Sequence, residues 1–121
     1  MLNTDFASDN HAGAHPAVMA AIAAANTGYT PSYGDDPWTA TFRERIKEEF
    51  GDEATGFAVL NGTGANILGL SLLLGNRYEA VICPESAHIA THEGGAAERQ
   101  LGTKLITVPT ADGKLTPDDV T

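Results

Sequence analysis

The sequence has little positive charge and hardly any cysteine, and both shortages exclude classes of protein. Seven Lys and Arg residues stand against sixteen Asp and Glu residues, which gives a formal net charge of -9 with no basic cluster. Nucleic acid and anionic membrane surfaces are therefore excluded as partners. The single cysteine, Cys83, has no partner for an internal disulfide, so the sequence predicts a cytoplasmic protein.

Long apolar segments are also missing. The longest one, Ile67 to Leu74, is too short to cross a bilayer, and the first ten residues lack the basic and apolar regions of an export signal. What is present is a 121-residue chain with 42% hydrophobic and 19% charged residues, which is the balance of a globular chain. We therefore expect a folded protein that does not span a membrane.

Helix and strand signals alternate along the chain. Residues 16–25 predict one helix, and Asp36 followed by Pro37 begins a second helix, whose apolar stripe at four-residue spacing we expect to face a core. Short apolar runs that predict strands lie at 56–60, 79–84 and 104–109. This alternation indicates an α/β fold with a parallel sheet and flanking helices.

The last residues carry the start of a helix without its continuation. Thr116 can act as a cap, Pro117 stands at the first helical position, and two acids follow at the positive end of the helix dipole. The sheet has only about three predicted strands, and their apolar faces need cover on both sides. We therefore expect residues 1–121 to be cut partway through a larger α/β domain. A chain with a frayed natural end is the alternative.

The segment NGTGAN, Asn61–Asn66, stands between the first predicted strand and a helix and is suited to an anion. Glycine allows the backbone to approach a ligand closely, and a helix N-terminus offers free N–H groups. A phosphate is the anion that we predict, although the spacing matches neither the dinucleotide fingerprint nor the P-loop. A glycine-rich turn without a ligand is the alternative.

The four histidines form two pairs with a spacing of four residues, His11 with His15 and His88 with His92. His88 follows the second predicted strand, at the sheet edge where ligands of parallel sheets bind, so we expect it near the NGTGAN turn. Its imidazole can stack on a planar ligand or transfer a proton near neutral pH. We predict no metal site, because Glu93 follows the second histidine instead of giving an H-E-x-x-H order.

Five motifs in one order resemble the N-terminal part of the low-specificity L-threonine aldolases. These are pyridoxal phosphate (PLP) enzymes of the β-eliminating lyase group, with the aspartate-aminotransferase-like fold. The motifs are SDN at 8–10, YGDDP at 33–37, NGTGAN at 61–66, AHI with EGGA within 87–96, and DGKLTPDD at 112–119. The resemblance covers nearly the whole chain and implies the first part of a large PLP-binding domain.

The resemblance also implies roles for individual residues. Gly62 and Thr63, with Gly64 beside them, match the turn that holds the cofactor phosphate. His88 matches the histidine that stacks on the pyridine ring and takes part in proton transfer at the substrate hydroxyl. Ser8 matches a serine near the substrate carboxylate.

A further motif bears on assembly. Tyr33, Gly34 and Asp35 match a segment at the active-site and subunit boundary of similar proteins, so the resemblance implies a homo-oligomer, a dimer or a tetramer. His92 departs from the family pattern, in which an acidic residue is commoner, and we assign it no role.

The later half of similar proteins supplies a lysine that binds PLP covalently, an aspartate and an arginine. The lysines of this chain, Lys47, Lys104 and Lys114, have no such setting, so the resemblance implies an inactive segment. Its parent would cleave the small amino acid L-threonine or L-allo-threonine to glycine and acetaldehyde. The alternatives are a non-catalytic anion-binding or assembly module, and another PLP lyase acting on β-hydroxy amino acids such as phenylserine.

Overall fold

Helices and a small parallel sheet make up the described part of the protein. The structure, a computed structural model, describes residues 11–76 and 78–121. The chain divides into two units, Met1–Gly56 and Phe57–Thr121. Ser8, the serine predicted to lie near a substrate carboxylate, falls outside the described residues.

The described part of the first unit contains two α-helices whose bounds follow from local signals. Helix α1 is Pro16–Ala25, and its N-cap His15 accepts a hydrogen bond through Nδ1 from the Ala17 amide at 3.2 Å. Proline at the first helical position loses no bond, because the first amides of a helix have no partner within it. Gly28 then adopts a φ of 68° just beyond the helix, as expected of a residue that turns the chain away.

Helix α2 is Pro37–Phe50, which confirms the start predicted from Asp36 and Pro37. The Asp36 carboxylate accepts hydrogen bonds from the Thr39 hydroxyl at 2.7 Å and from the Thr39 amide at 2.8 Å. The hydroxyl bond first, and the amide bond after it, lower the pKa of Asp36 below its ordinary value of 3.8. The helix ends at Phe50, and its C-cap Gly51 has a φ of 98°, which favours glycine.

The apolar stripe of α2 is not buried, contrary to the prediction that it faces a core. Trp38, Phe42 and Phe50 are exposed and Ile46 is half-buried. A stripe is buried only where another element offers a facing surface. In the described part of this unit, the backbone of Gly56 packs closely against the stripe. A Cβ built on Gly56 would lie 2.7 Å from Ile46 Cγ1 and 3.0 Å from Phe42 Cζ.

The second unit is a β-α-β arrangement preceded by a helix. Its elements, in chain order, are α3 (Gly62–Leu73), β1 (Ala80–Pro84), α4 (His88–Thr91), α5 (Ala96–Leu101), β2 (Lys104–Val108) and a 3₁₀ turn (Pro117–Asp119). β1 and β2 are parallel, with Ala80 opposite Lys104 and Pro84 opposite Val108. This pairing confirms the predicted α/β class with a parallel sheet.

A small core forms where the elements of this unit meet. Helix α5 contacts both α3 and β2, and Ala97 on α5 is completely buried. Cys83 on β1 is buried as well, and its burial raises the pKa of the thiol. The buried Thr103 donates from its hydroxyl to the Glu79 carbonyl at 2.9 Å, which joins the starts of the two strands.

The prediction of a strand at residues 56–60 is wrong. The described part of the second unit has a sheet of two strands, β1 and β2, instead of about three. A strand needs a neighbour for its N–H and C=O groups, and no described strand pairs with 56–60.

Two other segments were left less defined by the sequence. The segment after β1, predicted as a loop or short helix, forms the two short helices α4 and α5. The helix start predicted at the chain end is one 3₁₀ turn, in which Thr116 and Asp119 cap each other. Among the helices that the structure describes, none has both the length and the apolar content needed to cross a membrane.

Candidate functional site

The turn that begins α3 has free backbone donors. Asn61 is the N-cap, and its side-chain oxygen accepts from the Gly64 amide at 2.9 Å. The Ala65 amide donates to the Asn61 carbonyl at 3.1 Å. The amides of Gly62 and Thr63 lie at the first two helical positions, where no carbonyl of the helix reaches them. These two amides and the Thr63 hydroxyl therefore form a donor set for an anion.

The glycines of this turn are not required by the backbone. Neither Gly62 nor Gly64 has a positive φ, so an L side chain would cause no backbone strain at either position. A Cβ built on Gly62 meets nothing within 4 Å. One built on Gly64 makes only ordinary contacts at 3.6 Å with Asn61 Oδ1 and Val59 Cβ. The open space beside Gly62 is what a ligand that approaches the backbone needs.

His88 begins α4, four residues after β1 ends at Pro84. Its Nδ1 lies 2.8 Å from Oε1 of Glu93. The His88 side chain is 69% exposed, whereas that of Glu93 is 0% exposed. The His88 ring is also stacked on the ring of His92, with centroids 5.3 Å apart and planes at 17°. One edge of the imidazole is therefore fixed to a buried acid, while the ring stays largely open to solvent.

Glu93 also links His88 to the helix that carries the anion turn. Its Oε1 accepts a hydrogen bond from Nδ2 of Asn66 at 2.6 Å. Asn66 lies on α3, one turn after Gly62. The structure thus connects the predicted turn and the predicted histidine through two side chains to which the sequence analysis gave no role. Both lie within the motifs quoted above, but a contact over 27 residues leaves no periodic signal in the sequence.

The segment of Tyr33, Gly34 and Asp35 lies in the first unit, whereas the anion turn and His88 lie in the second. Tyr33 has a φ of 64°, which is rare for a residue other than glycine, and Gly34 has a φ of 88°. The Arg43 guanidinium on α2 donates to the Gly34 carbonyl at 3.2 Å. Such left-handed backbone costs free energy and is common at functional sites.

The three lysines occupy different surroundings. Lys47 Nζ lies 3.7 Å from Glu44 Oε1 on α2, and Lys114 Nζ lies 3.9 Å from Asp112 Oδ2 in a turn. Lys104 is the exposed first residue of β2. Within the described residues, no three His, Cys, Asp or Glu side chains form a group that could hold a metal ion.

Known proteins resemble this chain in sequence. Residues 5–121 match the beta-eliminating lyase family. Over 116 residues the chain is 44% identical to a low specificity L-threonine aldolase of Pseudomonas sp., covering 95% of this chain and 33% of that protein. It is 31% identical over 110 residues to the aldolase vrtJ of Penicillium aethiopicum, covering 91% of this chain and 28% of that one.

A solved structure is similar as well. The threonine aldolase of Leishmania major matches with a TM-score of 0.77 and 37% sequence identity, covering 90% of this chain and 32% of that chain. The α/β architecture is therefore that of the threonine aldolase fold. The chain spans about a third of the length of the curated relatives that it matches.

Proposed function

The chain belongs to the beta-eliminating lyase family, and on this premise we propose that it is the N-terminal segment of a PLP-dependent aldolase. The reaction proposed for the whole protein is the cleavage of L-threonine or L-allo-threonine to glycine and acetaldehyde. The 44% identity to the Pseudomonas aldolase over almost the whole chain carries the proposal.

The residues present fit the phosphate of PLP. The amides of Gly62 and Thr63 and the Thr63 hydroxyl are the donors that a phosphate needs, and the space beside Gly62 is open. In an acidic chain, backbone donors of this kind hold an anion without a lysine or arginine. When bound, PLP supplies an electron sink for the electrons released as the Cα–Cβ bond breaks.

We assign the remaining predicted residues by their match to the family. His88 stacks on the pyridine ring and accepts the proton of the substrate hydroxyl. Ser8 lies near the substrate carboxylate, and Tyr33, Gly34 and Asp35 lie at a boundary between subunits of a homo-oligomer. The lysine that binds PLP and the groups that hold its ring nitrogen and the substrate carboxylate belong to the part of the relatives that this chain does not match. We therefore expect residues 1–121 alone to be inactive.

A chimaeric enzyme tests the proposal. Residues 5–121 replace the matched third of the Pseudomonas aldolase, and cleavage of L-threonine, L-allo-threonine and phenylserine is measured. We expect PLP to be retained and threonine to be cleaved, whereas the 121-residue chain alone is inactive. A chimaera that retains PLP and cleaves phenylserine but neither threonine diastereomer would point to the alternative lyase. A folded chimaera that retains no PLP would contradict the proposal.

The anion turn has its own test. Gly62→Ala adds a methyl group where the ligand approaches, and Gly69→Ala, in the middle of α3, is the matched control, since a Cβ at either position meets nothing within 4 Å. We expect Gly62→Ala to weaken PLP retention by the chimaera and Gly69→Ala to leave it unchanged. If both variants retain PLP equally well, the alternative is favoured, in which the glycine-rich turn binds no ligand.

Assembly and location remain proposals of the same kind. A homo-oligomer, a dimer or a tetramer, follows from the match of the YGDDP segment to a subunit boundary. Light scattering of the chimaera over a range of protein concentrations measures it, and a monomer at every concentration would contradict it. The free thiol of Cys83 suits the reducing cytoplasm that the sequence predicts.

A further inference from the structure

Glu93 has surroundings unusual for a carboxylate. Its side chain is 0% exposed, and both of its hydrogen bonds, from Asn66 and with His88, end on the same oxygen, Oε1. The other oxygen, Oε2, is buried and has no hydrogen-bond partner among the described residues. Most buried polar atoms do have partners, and exceptions occur where a site has a task that packing alone does not explain.

From this geometry we propose that Glu93 is a positioning residue, which holds the proton of neutral His88 on Nδ1 and leaves Nε2 as the acceptor of the ring. An ionised carboxylate only accepts hydrogen bonds. Oε1 accepts from the Asn66 amide, and Nδ1 of His88 must then be the donor in the 2.8 Å contact. In a neutral imidazole one nitrogen carries the proton and the other does not, so Nε2 is free to accept.

Asn66 fixes the orientation of the Glu93 carboxyl group. Because Oε2 has no partner among the described residues, the Asn66 amide is the second bond that fixes the orientation of the carboxyl group. Asn66 lies one helical turn after Gly62, so the ring of His88 is tied to the helix that carries the anion turn. Carboxylate partners of this kind fix both the tautomer and the direction of a histidine ring.

The consequence for the reaction rests on the proposed function. With Nδ1 occupied, Nε2 is the atom of His88 that takes the proton of the substrate hydroxyl. The ring then carries a positive charge. The Glu93 carboxylate, whose Oε1 lies 2.8 Å from Nδ1, stabilises this charge. Glu93 itself touches neither substrate nor cofactor in this scheme and acts through His88.

Nitrogen NMR of the 121-residue chain tests the proposal without any activity. The chain contains four histidines, which are labelled with ¹⁵N and observed about two pH units above the ordinary imidazole pKa of ~6.5. His88→Gln assigns the His88 signals. We expect the Nδ1–H tautomer for His88. The Nε2–H tautomer in the unmodified chain would overturn the proposal, and this result requires no variant.

Two substitutions separate positioning from packing. Glu93→Met has a similar volume but no acceptor, so His88 should change to the Nε2–H tautomer that a free imidazole side chain favours. Glu93→Gln retains a carbonyl oxygen at Oε1, so it should preserve the Nδ1–H tautomer. If His88 stays Nδ1–H in Glu93→Met, or loses it in both variants, the proposal fails. Glu98→Gln, which removes an exposed charge on α5, is the matched control and should change nothing.

A reference within the molecule guards against a general change in structure. Nδ1 of His92 lies 2.6 Å from the Thr91 hydroxyl. This hydroxyl donates its one hydrogen to the Ala87 carbonyl at 2.9 Å, so it can only accept from Nδ1 of His92, and the tautomer of His92 is set without Glu93. His92 should therefore keep its tautomer in Glu93→Met. If the tautomer changes at both rings, Glu93→Met has rearranged the whole segment, and Glu93→Gln alone decides. Loss of the Nδ1–H tautomer of His88 in Glu93→Gln then overturns the proposal. Retention of that tautomer supports it.

Activity forms a separate arm. In the chimaera, Glu93→Met should lower kcat at least about tenfold with little change in KM, because positioned proton transfer is worth 10²–10⁴-fold. Glu93→Gln should recover part of this loss. If the chimaera is inactive but the tautomer is as expected, the proposed function fails and the positioning stands. If threonine is cleaved but the tautomer is Nε2–H, only the present inference fails.

Discussion

Residues 11–56 contain no buried side chain, whereas residues 57–121 bury Cys83, Glu93, Ala97 and Thr103. The first unit has the longest helix of the described chain, the 14-residue α2. The described part of the second unit has helices of 12 residues or fewer and a sheet of two strands. Length and regularity of secondary structure therefore do not decide where the core lies.

The hydrogen bonds explain the difference. In the first unit the side-chain bonds reach over short distances in sequence, as in the cap formed by Asp36 with Thr39. The second unit has local bonds too, but two of its side-chain bonds join distant residues, Asn66 with Glu93 over 27 positions and Thr103 with Glu79 over 24. Local bonds define where a helix begins, but only distant contacts close a core around a side chain. The candidate chemistry lies where those distant contacts are.

The largest effect should come from a histidine of the second unit. In the chimaera we expect His88→Ala to lower kcat by about 10²–10⁴-fold, the loss typical when a general base is removed, while PLP is retained. His15→Ala, which removes a histidine cap from α1 in the first unit, should leave kcat unchanged. Steady-state kinetics and the PLP absorbance check both. A smaller loss, seen mainly in PLP affinity, would mean that His88 stacks without transferring a proton.

The next largest effect should be a difference in stability between substitutions at a buried and at an exposed alanine, one in each unit. Ala97 is 0% exposed on α5, so Ala97→Leu overpacks the core and should cost about 1–3 kcal/mol of unfolding free energy. Ala23, on α1, is exposed, and Ala23→Leu should change stability by less than about 0.5 kcal/mol. Urea unfolding of the chain measures both. Equal effects would mean that the first unit has a core of its own.

The contrast between local and distant contacts also explains which features could be predicted from the sequence. Signals within a few residues gave α1 from Pro16 and α2 from Asp36 and Pro37, and the alternation of runs gave the parallel pair β1 and β2. The strand at 56–60 was wrong, because an apolar run does not reveal whether a partner strand is present. The contact of Asn66 with Glu93 was missed for the same reason, since it depends on where α3 and α5 meet.

Two glycines should respond in opposite directions. Gly69 lies within α3, and a Cβ there meets nothing within 4 Å, so Gly69→Ala should stabilise the chain by about 0.5–1 kcal/mol. Gly34 has a φ of 88°, and a Cβ there would lie 2.9 Å from Nη2 of Arg43. Gly34→Ala should therefore destabilise the first unit. Thermal unfolding compares the two, and a stabilising Gly34→Ala would show that the left-handed turn is not held in solution.

The smallest effect concerns pH and two aspartate caps. Asp36 caps α2 in the first unit, and hydrogen bonds from Thr39 lower the pKa of its carboxyl below 3.8. Asp119 caps the 3₁₀ turn of the second unit, and the amide and then the hydroxyl of Thr116 lower its pKa in the same way. A carboxyl with a lowered pKa in the folded chain stabilises it fully above about pH 3.8, the unfolded value, and this contribution is lost as pH falls through the folded pKa.

Both caps therefore weaken in acid, yet the far-UV circular dichroism should reveal mainly one of them. Asp36 is followed by a 14-residue helix with no buried side chain, whereas Asp119 belongs to a turn of three residues. We expect ellipticity to fall below about pH 3.8 in the unmodified chain. Asp36→Asn keeps an acceptor for the cap without a titrating group, so it should reduce this fall, while Asp119→Asn should leave it nearly unchanged. If Asp119→Asn reduces the acid-induced loss of ellipticity as much as Asp36→Asn does, that loss arises in the second unit as well. The stability of α2 would then not depend on its Asp36 cap.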